Sequence, residues 1–255
     1  MVVSWFSAGV SSAVATKMLI GRIDRIIYTH IEDQHEDTMR FVKDCESWFG
    51  KTVEIIQSPY KNVEAAVQAG GAKFINGPSG AICTRYLKRR VRKEWECDND
   101  DGHLTYVWGL DVNESKPRPP RNISRVEGIR MAMPDQEHLF PLVDASISKE
   151  HAHEILRASG ITRPAMYDLG YHNNNCVGCV KGGAGYWNKI RVDFPDVFAK
   201  RAALERRIGG TCLKRNDVQE GEEVKLYLDE LDPKAGRHDS EIMDDCGIMC
   251  ELMKL

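Results

Sequence analysis

Two cysteines three positions apart, Cys176 and Cys179, are the residues of this sequence with the clearest capacity for chemistry. Two thiolates on one tight turn can bind a single metal centre. A third cysteine, Cys83, lies far upstream, so a site shared by all three would join two distant segments. The alternatives for such residues are a redox-active pair, a zinc site, or simple packing, because buried cysteine is a small hydrophobic side chain.

A loop of small residues, Ser7-Ala-Gly-Val-Ser-Ser12, follows the first predicted strand. Small side chains let backbone N–H groups and a helix N-terminus approach a phosphate closely. The loop therefore predicts an anion site, and an ordinary strand-to-helix turn is the alternative. Neither the Gly-x-Gly-x-x-Gly pattern of dinucleotide-binding proteins nor the Gly-Lys-Ser/Thr of a P-loop occurs in this segment.

Cations near these segments could hold an anion. Lys88 follows Cys83 by five residues and begins a basic run that continues to Lys93. We predict that Lys88 lies near the metal site and a bound anion. The rest of the run is expected to be a solvated helix face, as such runs usually are.

Proline-restricted arginines form a second candidate group. Arg118 and Arg121 lie in Lys116-Pro-Arg-Pro-Pro-Arg121, where three prolines exclude regular structure. A guanidinium can bind phosphate or sulfate through two hydrogen bonds. We therefore predict Arg118 as an anion ligand, with Lys181, close to Cys179, as a further cation.

Strands alternate with helices over the first 70 residues, which predicts a parallel sheet flanked by helices. Farther along, Ser148 is a suitable N-cap and Pro195 a suitable first helical residue. The predicted strands cover residues 2–6, 25–29, 53–56 and 105–108. The predicted helices cover residues 13–20, 36–49, 63–69, 84–96, 149–158 and 195–208, with turns or loops at 97–102 and 182–185.

Length and composition favour one main domain. The chain has 255 residues, of which 42% are hydrophobic, and a net charge of −3; this argues against a nucleic-acid binder whose whole surface is basic. We expect a core domain at 1–208 and a C-terminal extension at 209–255. No run of 18 apolar residues and no charged leader is present, so a cytoplasmic protein with reduced thiols is expected.

The loop of residues 7–12, called the anion loop below, resembles the Ser-Gly-Gly-x-Asp-Ser loop of pyrophosphatase-loop enzymes. Those enzymes cleave ATP between its α and β phosphates. Ser7, Gly9 and Ser12 match this pattern. Ala8 replaces a glycine, and Ser11 stands where the aspartate belongs. Without that carboxylate, the resemblance does not imply ordinary magnesium-assisted ATP cleavage.

A wider set of motifs resembles the phosphoadenylyl-sulfate (PAPS) reductase family, in the family's order. The match covers about residues 3 to 208 and the tail, and is most similar to the phage and bacterial branch. The tail Asp245-Cys-Gly-Ile-Met249 is similar to the Glu-Cys-Gly-x-His that carries the reductase nucleophile. The other motifs are Cys83-Thr-x-x-x-Lys88, the segments 109–118, 140–143 and 167–171, Cys176-x-x-Cys179, and the helix over 193–205.

The resemblance implies an adenine-nucleotide α-hydrolase-like fold and a [4Fe-4S] cluster on Cys83, Cys176 and Cys179, with zinc as the alternative. Reductases of this family pair two adjacent cysteines with the Cys-x-x-Cys, and here Thr84 occupies the second position. Cys246 would be the nucleophile, with a thioredoxin-like reductant as partner. The alternatives for Cys246 are a fourth cluster ligand, a redox pair with Cys250, or no role.

Three functions follow as hypotheses. The first is reduction of a sulfonucleotide, with Cys246 and Lys88 catalytic and with Ser7, Gly9, Ser11, Ser12, Lys88, Arg118 and Lys181 around the nucleotide. The second is ATP-dependent sulfur insertion into a nucleic-acid base, by a cluster whose three ligands leave one iron open. The third is a nucleotide-binding regulator without catalysis.

Overall fold

The computed structural model describes residues 1–70, 75–77, 80–99, 102–118, 122–216 and 223–241. Its strands are β1 (Val2–Phe6), β2 (Arg25–His30), β3 (Val53–Gln57), β4 (Asn76–Gly77), β5 (Gly80–Ala81), β6 (Thr105–Val107), β7 (Glu137–Leu139), β8 (Leu213–Asn216) and β9 (Glu223–Leu226). Its α-helices are α1 (Val10–Met18), α2 (Asp37–Phe49), α3 (Val63–Ala69), α4 (Arg90–Asn99), α5 (Arg125–Ala132), α6 (Pro141–Asp144), α7 (Lys149–Ala158), α8 (Ala165–Asp168), α9 (Ala184–Asp193) and α10 (Pro195–Ile208). A π-helix (Thr84–Arg89) leads into α4, and 3₁₀ turns cover Val112–Ser115, Leu228–Glu230 and His238–Ser240.

Five strands form one parallel sheet in the order β3-β2-β1-β6-β7. The predicted α/β class with a parallel, helix-flanked sheet is therefore confirmed. Along the chain, strands are added first on one side of β1, as β2 and then β3. Later strands, β6 and then β7, are added on its other side. In open sheets of this kind, ligands bind at the carboxyl ends of the strands where the direction reverses. Here that position lies between β1 and β6, as in Rossmann-like nucleotide-binding folds.

Alternation along β1 builds a core on each face of the sheet. Phe6 packs in one buried cluster with Tyr28 and Phe41, and Trp5 packs in another with Tyr106. Because both faces are covered, the strand is apolar almost throughout, as parallel strands usually are. This explains why β1 was predicted with its observed bounds.

Several predicted boundaries differ from the structure. Helix α1 begins at Val10 rather than at residue 13, so Ser11 and Ser12 belong to its first turn. The helix predicted over 84–96 starts as a π-helix and continues to Asn99, so Cys97 is helical and not in a turn. Helix α9 begins inside the predicted 182–185 loop. At the starts of α1 and α9, the small residues favoured a loop in the sequence-based prediction. In the structure, packing of these helix starts into the protein overrides that preference.

The described part of the 209–255 segment packs on the second half of the core domain. Strands β8 and β9 form an antiparallel hairpin, and the buried Leu228 and Leu231 share a cluster with Trp187. The carboxylate of Glu241 accepts the backbone N–H groups of Gly185 (2.6 Å) and Tyr186 (2.9 Å). Glu241 thus caps the N-terminus of α9. Among the described residues, no helix has the length and apolar character needed to cross a membrane.

The attachment of this strap (residues 228–241) should depend on pH. His238 stacks on His172 with ring centroids 4.9 Å apart. Burial, and then the charges of His172 and Lys189, hold the pKa of His238 below its ordinary 6.5, while Asp239 and Glu241 oppose that shift. A depressed histidine pKa means that the unfolded chain takes up a proton first as the pH falls. The stability that the neutral ring supplies is therefore complete above pH 6.5 and declines below it.

We expect His238→Phe, which keeps a ring but cannot be protonated, to lose less stability than wild type between pH 7.5 and pH 5.5. Urea unfolding at both pH values measures the difference, and protease sensitivity of the strap reports where it arises. Equal losses in the two proteins would contradict a role for His238.

Candidate functional site

The anion loop lies at the carboxyl end of β1, where the order of the strands reverses. Ala8 has a left-handed backbone conformation, with φ of 57°, which directs the chain sharply into α1. Gly109, just beyond β6, lies directly against Ser12. A Cβ atom on Gly109 would come within 2.4 Å of the Ser12 Cα. Only glycine permits this approach, so the two loops form one surface.

The first turn of α1 offers groups that suit an anion. Its N-cap, Gly9, has no capping side chain, and the N–H of the first helical residue, Val10, donates to the Tyr167 hydroxyl (3.3 Å). The Ser7 N–H donates to Ser12 Oγ (2.9 Å), which fixes the loop. Ser11 Oγ is fully buried and has no hydrogen-bond partner within the part of the chain that the structure describes. Buried polar atoms are nearly always hydrogen-bonded in native proteins, so this hydroxyl is a candidate donor to a ligand at the helix N-terminus.

The cysteine loop, residues 173–179, lies across the same end of the sheet. Asn174 Nδ2 donates to the Ala8 carbonyl (2.8 Å), which joins the loop to the anion loop. The Val177 N–H donates to the Asp33 carbonyl (2.7 Å), which joins it to the turn after β2. Gly178, with φ of 70°, makes the tight turn between the two cysteines. The structure therefore brings the predicted thiol pair next to the predicted anion site.

Tyr186 holds the backbone of the cysteine loop in place. Its hydroxyl accepts the Cys179 N–H (2.9 Å) and donates to the Cys176 carbonyl (3.2 Å). Burial raises the pKa of Tyr186 well above its ordinary value, so the hydroxyl stays protonated and can make both bonds. Both cysteine side chains are buried. These two hydrogen bonds fix the backbone of the turn and do not require a metal.

Cys83 is the residue that precedes the π-helix, and this segment packs over the same end of the sheet. Leu87 shares a buried cluster with Ile31 and Cys176, and Cys83 packs against that cluster. Lys88 is only 7% exposed. Burial, and then the nearby Cys176, raise the pKa of Tyr28, while the charge of Lys88 lowers it. Lys88 and Cys176 therefore both lie near the Tyr28 hydroxyl, and the predicted cation is close to the predicted metal ligand.

Cys83, Cys176 and Cys179 offer soft thiolates, the ligand type of both iron–sulfur clusters and zinc sites. In the described ranges, no group of three or more His, Cys, Asp or Glu side chains is arranged to hold one metal ion, so the geometry of these residues adds no support to either the cluster or the zinc alternative. Thr84 Oγ1, beside Cys83, is fully buried with no described partner, so a polar atom there is open to interaction with a bound group.

The remaining predicted residues have the following positions. Arg118 lies on the loop after β6, where its backbone pairs with Ile123, and it is partly exposed. Lys181 is half-buried two residues after Cys179. Arg121, Cys246 and Cys250 lie outside the described residues.

Three residues of the site were not predicted from the sequence: Asn174, Tyr186 and, as an anchor for the cysteine loop, Asp33. Asp33 holds its position by accepting from Val63 N (2.7 Å) and pairing with Arg201 (3.3 Å). The sequence signal for Asn174 was the run of three asparagines before Cys176. Such a run of polar residues does not by itself indicate buried hydrogen bonds, because the partners are known only once the fold is known.

A cavity of about 540 Å³ opens beside the cysteine loop. Its lining mixes the cations Lys200 and Arg201 with carboxylates such as Asp33 and Glu36. Carboxylates repel phosphate groups, so this cavity is a less suitable place for them than the N-terminus of α1.

Comparison of the sequence with family models and with curated proteins gives no match. The resemblance to the PAPS reductase family therefore rests on the motifs and their order. What the fold itself defines is a Rossmann-like α/β protein whose polar loops meet at the carboxyl end of the sheet.

Proposed function

We propose that this protein is an iron–sulfur oxidoreductase that acts on an adenine sulfonucleotide, in the manner of the PAPS reductase family. The observation that carries the proposal is the position of the cysteine loop, which hydrogen-bonds to both the anion loop and the turn after β2. A thiol-rich site and a helix N-terminus open to an anion thereby adjoin each other. This combination suits a nucleotide whose reacting group carries sulfur.

The chain's own residues would bind the anion. The Ser11 hydroxyl and backbone N–H groups in the first turn of α1, other than that of Val10, would donate to phosphate oxygens. Lys88, buried close to Cys176, would place a positive charge beside the reacting sulfate. Arg118 and Lys181 are further cations for the same anion. The cluster would hold the cysteine loop and the Cys83 segment together and would not carry the electrons.

Cys246 would be the nucleophile. Its thiolate attacks the sulfur of the sulfonucleotide, the bond between that sulfur and the phosphate oxygen breaks, and an adenosine phosphate leaves. The product is a cysteine S-sulfonate on the enzyme. A dithiol protein of the thioredoxin class then attacks the cysteine sulfur, sulfite leaves, and the second thiol releases Cys246 as the partner becomes a disulfide.

Anaerobic protein treated with ³⁵S-labelled sulfonucleotide tests this proposal. Wild type should acquire protein-bound label and release adenosine phosphate in equal amounts. Cys246→Ser should bind the nucleotide and acquire no label, and Cys250→Ser is the matched control that should label normally. Labelling of Cys246→Ser at the wild-type level would show that Cys246 is not the nucleophile.

A groove of about 820 Å³ favours the second candidate function. It runs along the π-helix and α4 and is lined by Arg85, Arg89, Arg90 and Lys93, together with Tyr86 and the carboxylates of Glu94 and Asp98; Glu94 pairs with Arg90, which leaves the other three cations in excess. Cations with an aromatic side chain among them suit a nucleic-acid backbone. ATP-dependent sulfur insertion into a nucleic-acid base would require such a surface. Release of pyrophosphate or adenylate from ATP only when RNA or DNA is present would favour that function over the first.

The third hypothesis, a regulator that binds nucleotide without catalysis, is separated by the same assays. It predicts saturable binding of adenine nucleotides with turnover of neither the sulfonucleotide nor ATP.

A further inference from the structure

The strap of residues 228–241 ends beside the cysteine loop, and Cys246 follows five positions after its last residue, Glu241. We infer that Glu241 is a positioning residue: its carboxylate anchors the chain at the start of α9, and this anchor delivers Cys246 to the site. The inference rests on the proposed function, because it names the contact that directs the proposed nucleophile.

The strap runs along α9 towards the N-terminus of the helix. Arg191, in the last turn of α9, donates to two carbonyls near the start of the strap (3.2 and 2.8 Å). Asn188, one turn earlier, donates to two carbonyls in the middle of the strap (2.9 and 2.8 Å). Glu241, at the end of the strap, accepts the N–H groups of Gly185 and Tyr186 in the first turn. The strap is therefore antiparallel to α9 and leads the chain back to the helix start.

The start of α9 is shaped for a close approach of the anchor. A Cβ atom on Gly183 would lie 2.6 Å from Glu241 Oε2, and one on Gly236 would lie 2.2 Å from the Gly185 nitrogen. Side chains at these two positions would push the strap away from the helix. The negative charge of the carboxylate is also favourable at the N-terminal end of a helix dipole. Both features hold the end of the strap in one place.

The anchor is close to the cysteine loop on both of the loop's flanks. Tyr186 donates its N–H to Glu241, and its hydroxyl bonds to the backbone of the cysteine loop, so one tyrosine side chain separates the anchor from the loop. On the other flank, His172 Nε2 donates to the His238 carbonyl (3.1 Å). Five extended residues span at most about 18 Å. Cys246 can therefore reach the cysteine loop, which is hydrogen-bonded to the anion loop.

An anchor close to the nucleophile raises the concentration of its thiol at the site. For a flexible tether, the effective concentration falls roughly as the −3/2 power of the tether length. If the chain is released as far as His238, the tether to Cys246 grows from five to eight residues, which lowers the effective concentration about twofold. Ten residues inserted after Glu241 lower it about fivefold.

The test measures the single-turnover rate at which anaerobic full-length protein is labelled by saturating ³⁵S-sulfonucleotide without reductant. Nucleotide affinity is measured separately. Glu241→Ala should label about twofold more slowly, and a ten-residue Gly/Ser insertion directly after Glu241 about fivefold more slowly. Both variants should keep wild-type affinity for the nucleotide, since the anchor does not contact it.

Two controls separate positioning from general damage to the strap. The same insertion after Leu255 lengthens the chain beyond Cys246 and should leave the labelling rate unchanged. Asn188→Ala removes the hydrogen bonds in the middle of the strap and keeps the Glu241 contact. It should lower the melting temperature and label at the wild-type rate.

The outcomes separate this inference from the proposed function. If Cys246→Ser acquires no label while Glu241→Ala and the insertion after Glu241 label at the wild-type rate, the anchor inference is wrong and the proposed nucleophile stands. If Glu241→Ala loses nucleotide affinity with an unchanged rate at saturation, Glu241 only stabilises the fold. If Cys246→Ser labels like wild type, the proposed function fails and the anchor inference fails with it.

Discussion

Replacing Arg125 with methionine should lower the free energy of unfolding by about 3–5 kcal/mol, because it leaves a buried carboxylate without its guanidinium. Arg125 and Glu114 form an ion pair in which both side chains are almost completely buried. Glu114 also accepts the Asp111 N–H (3.0 Å) and so forms part of a capping box. The pair joins α5 to the 3₁₀ turn after β6. Chemical denaturation of the two proteins measures the change.

The matched control removes the charge that Arg125→Met leaves behind. Glu114→Gln keeps an acceptor for Asp111, so the double variant Arg125→Met/Glu114→Gln should recover a large part of the lost stability. A double variant that is less stable than Arg125→Met alone would show that the unpaired charge is not the cause. The same pair positions residues 109–118, so under the proposed function Arg125→Met should also weaken binding of a sulfonucleotide.

Gly109→Ala should disrupt the anion loop. The new Cβ would lie 2.4 Å from the Cα, 2.6 Å from the Cβ and 2.7 Å from the nitrogen of Ser12. These are backbone atoms or are tied to the backbone, so the α1 N-terminus must move. Overpacking of this kind typically lowers stability by about 1–3 kcal/mol. We expect nucleotide affinity to fall at least about tenfold.

Gly21→Ala is the control for Gly109→Ala, since a Cβ at Gly21 meets no atom within 4 Å. It should leave both the melting temperature and the nucleotide affinity near wild-type values. Calorimetry of unfolding and of nucleotide binding measures the two quantities. Wild-type affinity in Gly109→Ala would mean that the nucleotide does not use the loop after β1.

Glu205 joins the C-terminal segment to the rest of the fold. Its carboxylate accepts the Cys212 N–H and the Leu228 N–H at the start of the 228–241 strap. The strap in turn caps α9 through Glu241, and α9 follows the cysteine loop. The C-terminal segment therefore supports both the helix that follows the cysteine loop and the link between α10 and β8.

The sequence alone determined the class of fold and much of the element order. Apolar strands buried on both faces and amphipathic helices leave a local periodicity that needs no knowledge of distant residues. This is why β1 (Val2–Phe6), α3 (Val63–Ala69), α7 (Lys149–Ala158) and α10 (Pro195–Ile208) have their predicted bounds. Local caps such as Ser148, which accepts the His151 N–H, contribute in the same way.

Tertiary structure decided which residues meet. Cys83 and Cys212 are more than a hundred positions apart in the sequence, and only the packing of the π-helix segment and the α10–β8 link brings their side chains near each other. The same holds for Asn174 and Ala8, and for Gly109 and Ser12. Local sequence sets backbone conformation, but such contacts depend on how buried surfaces fit across the whole chain, and no short pattern records that fit.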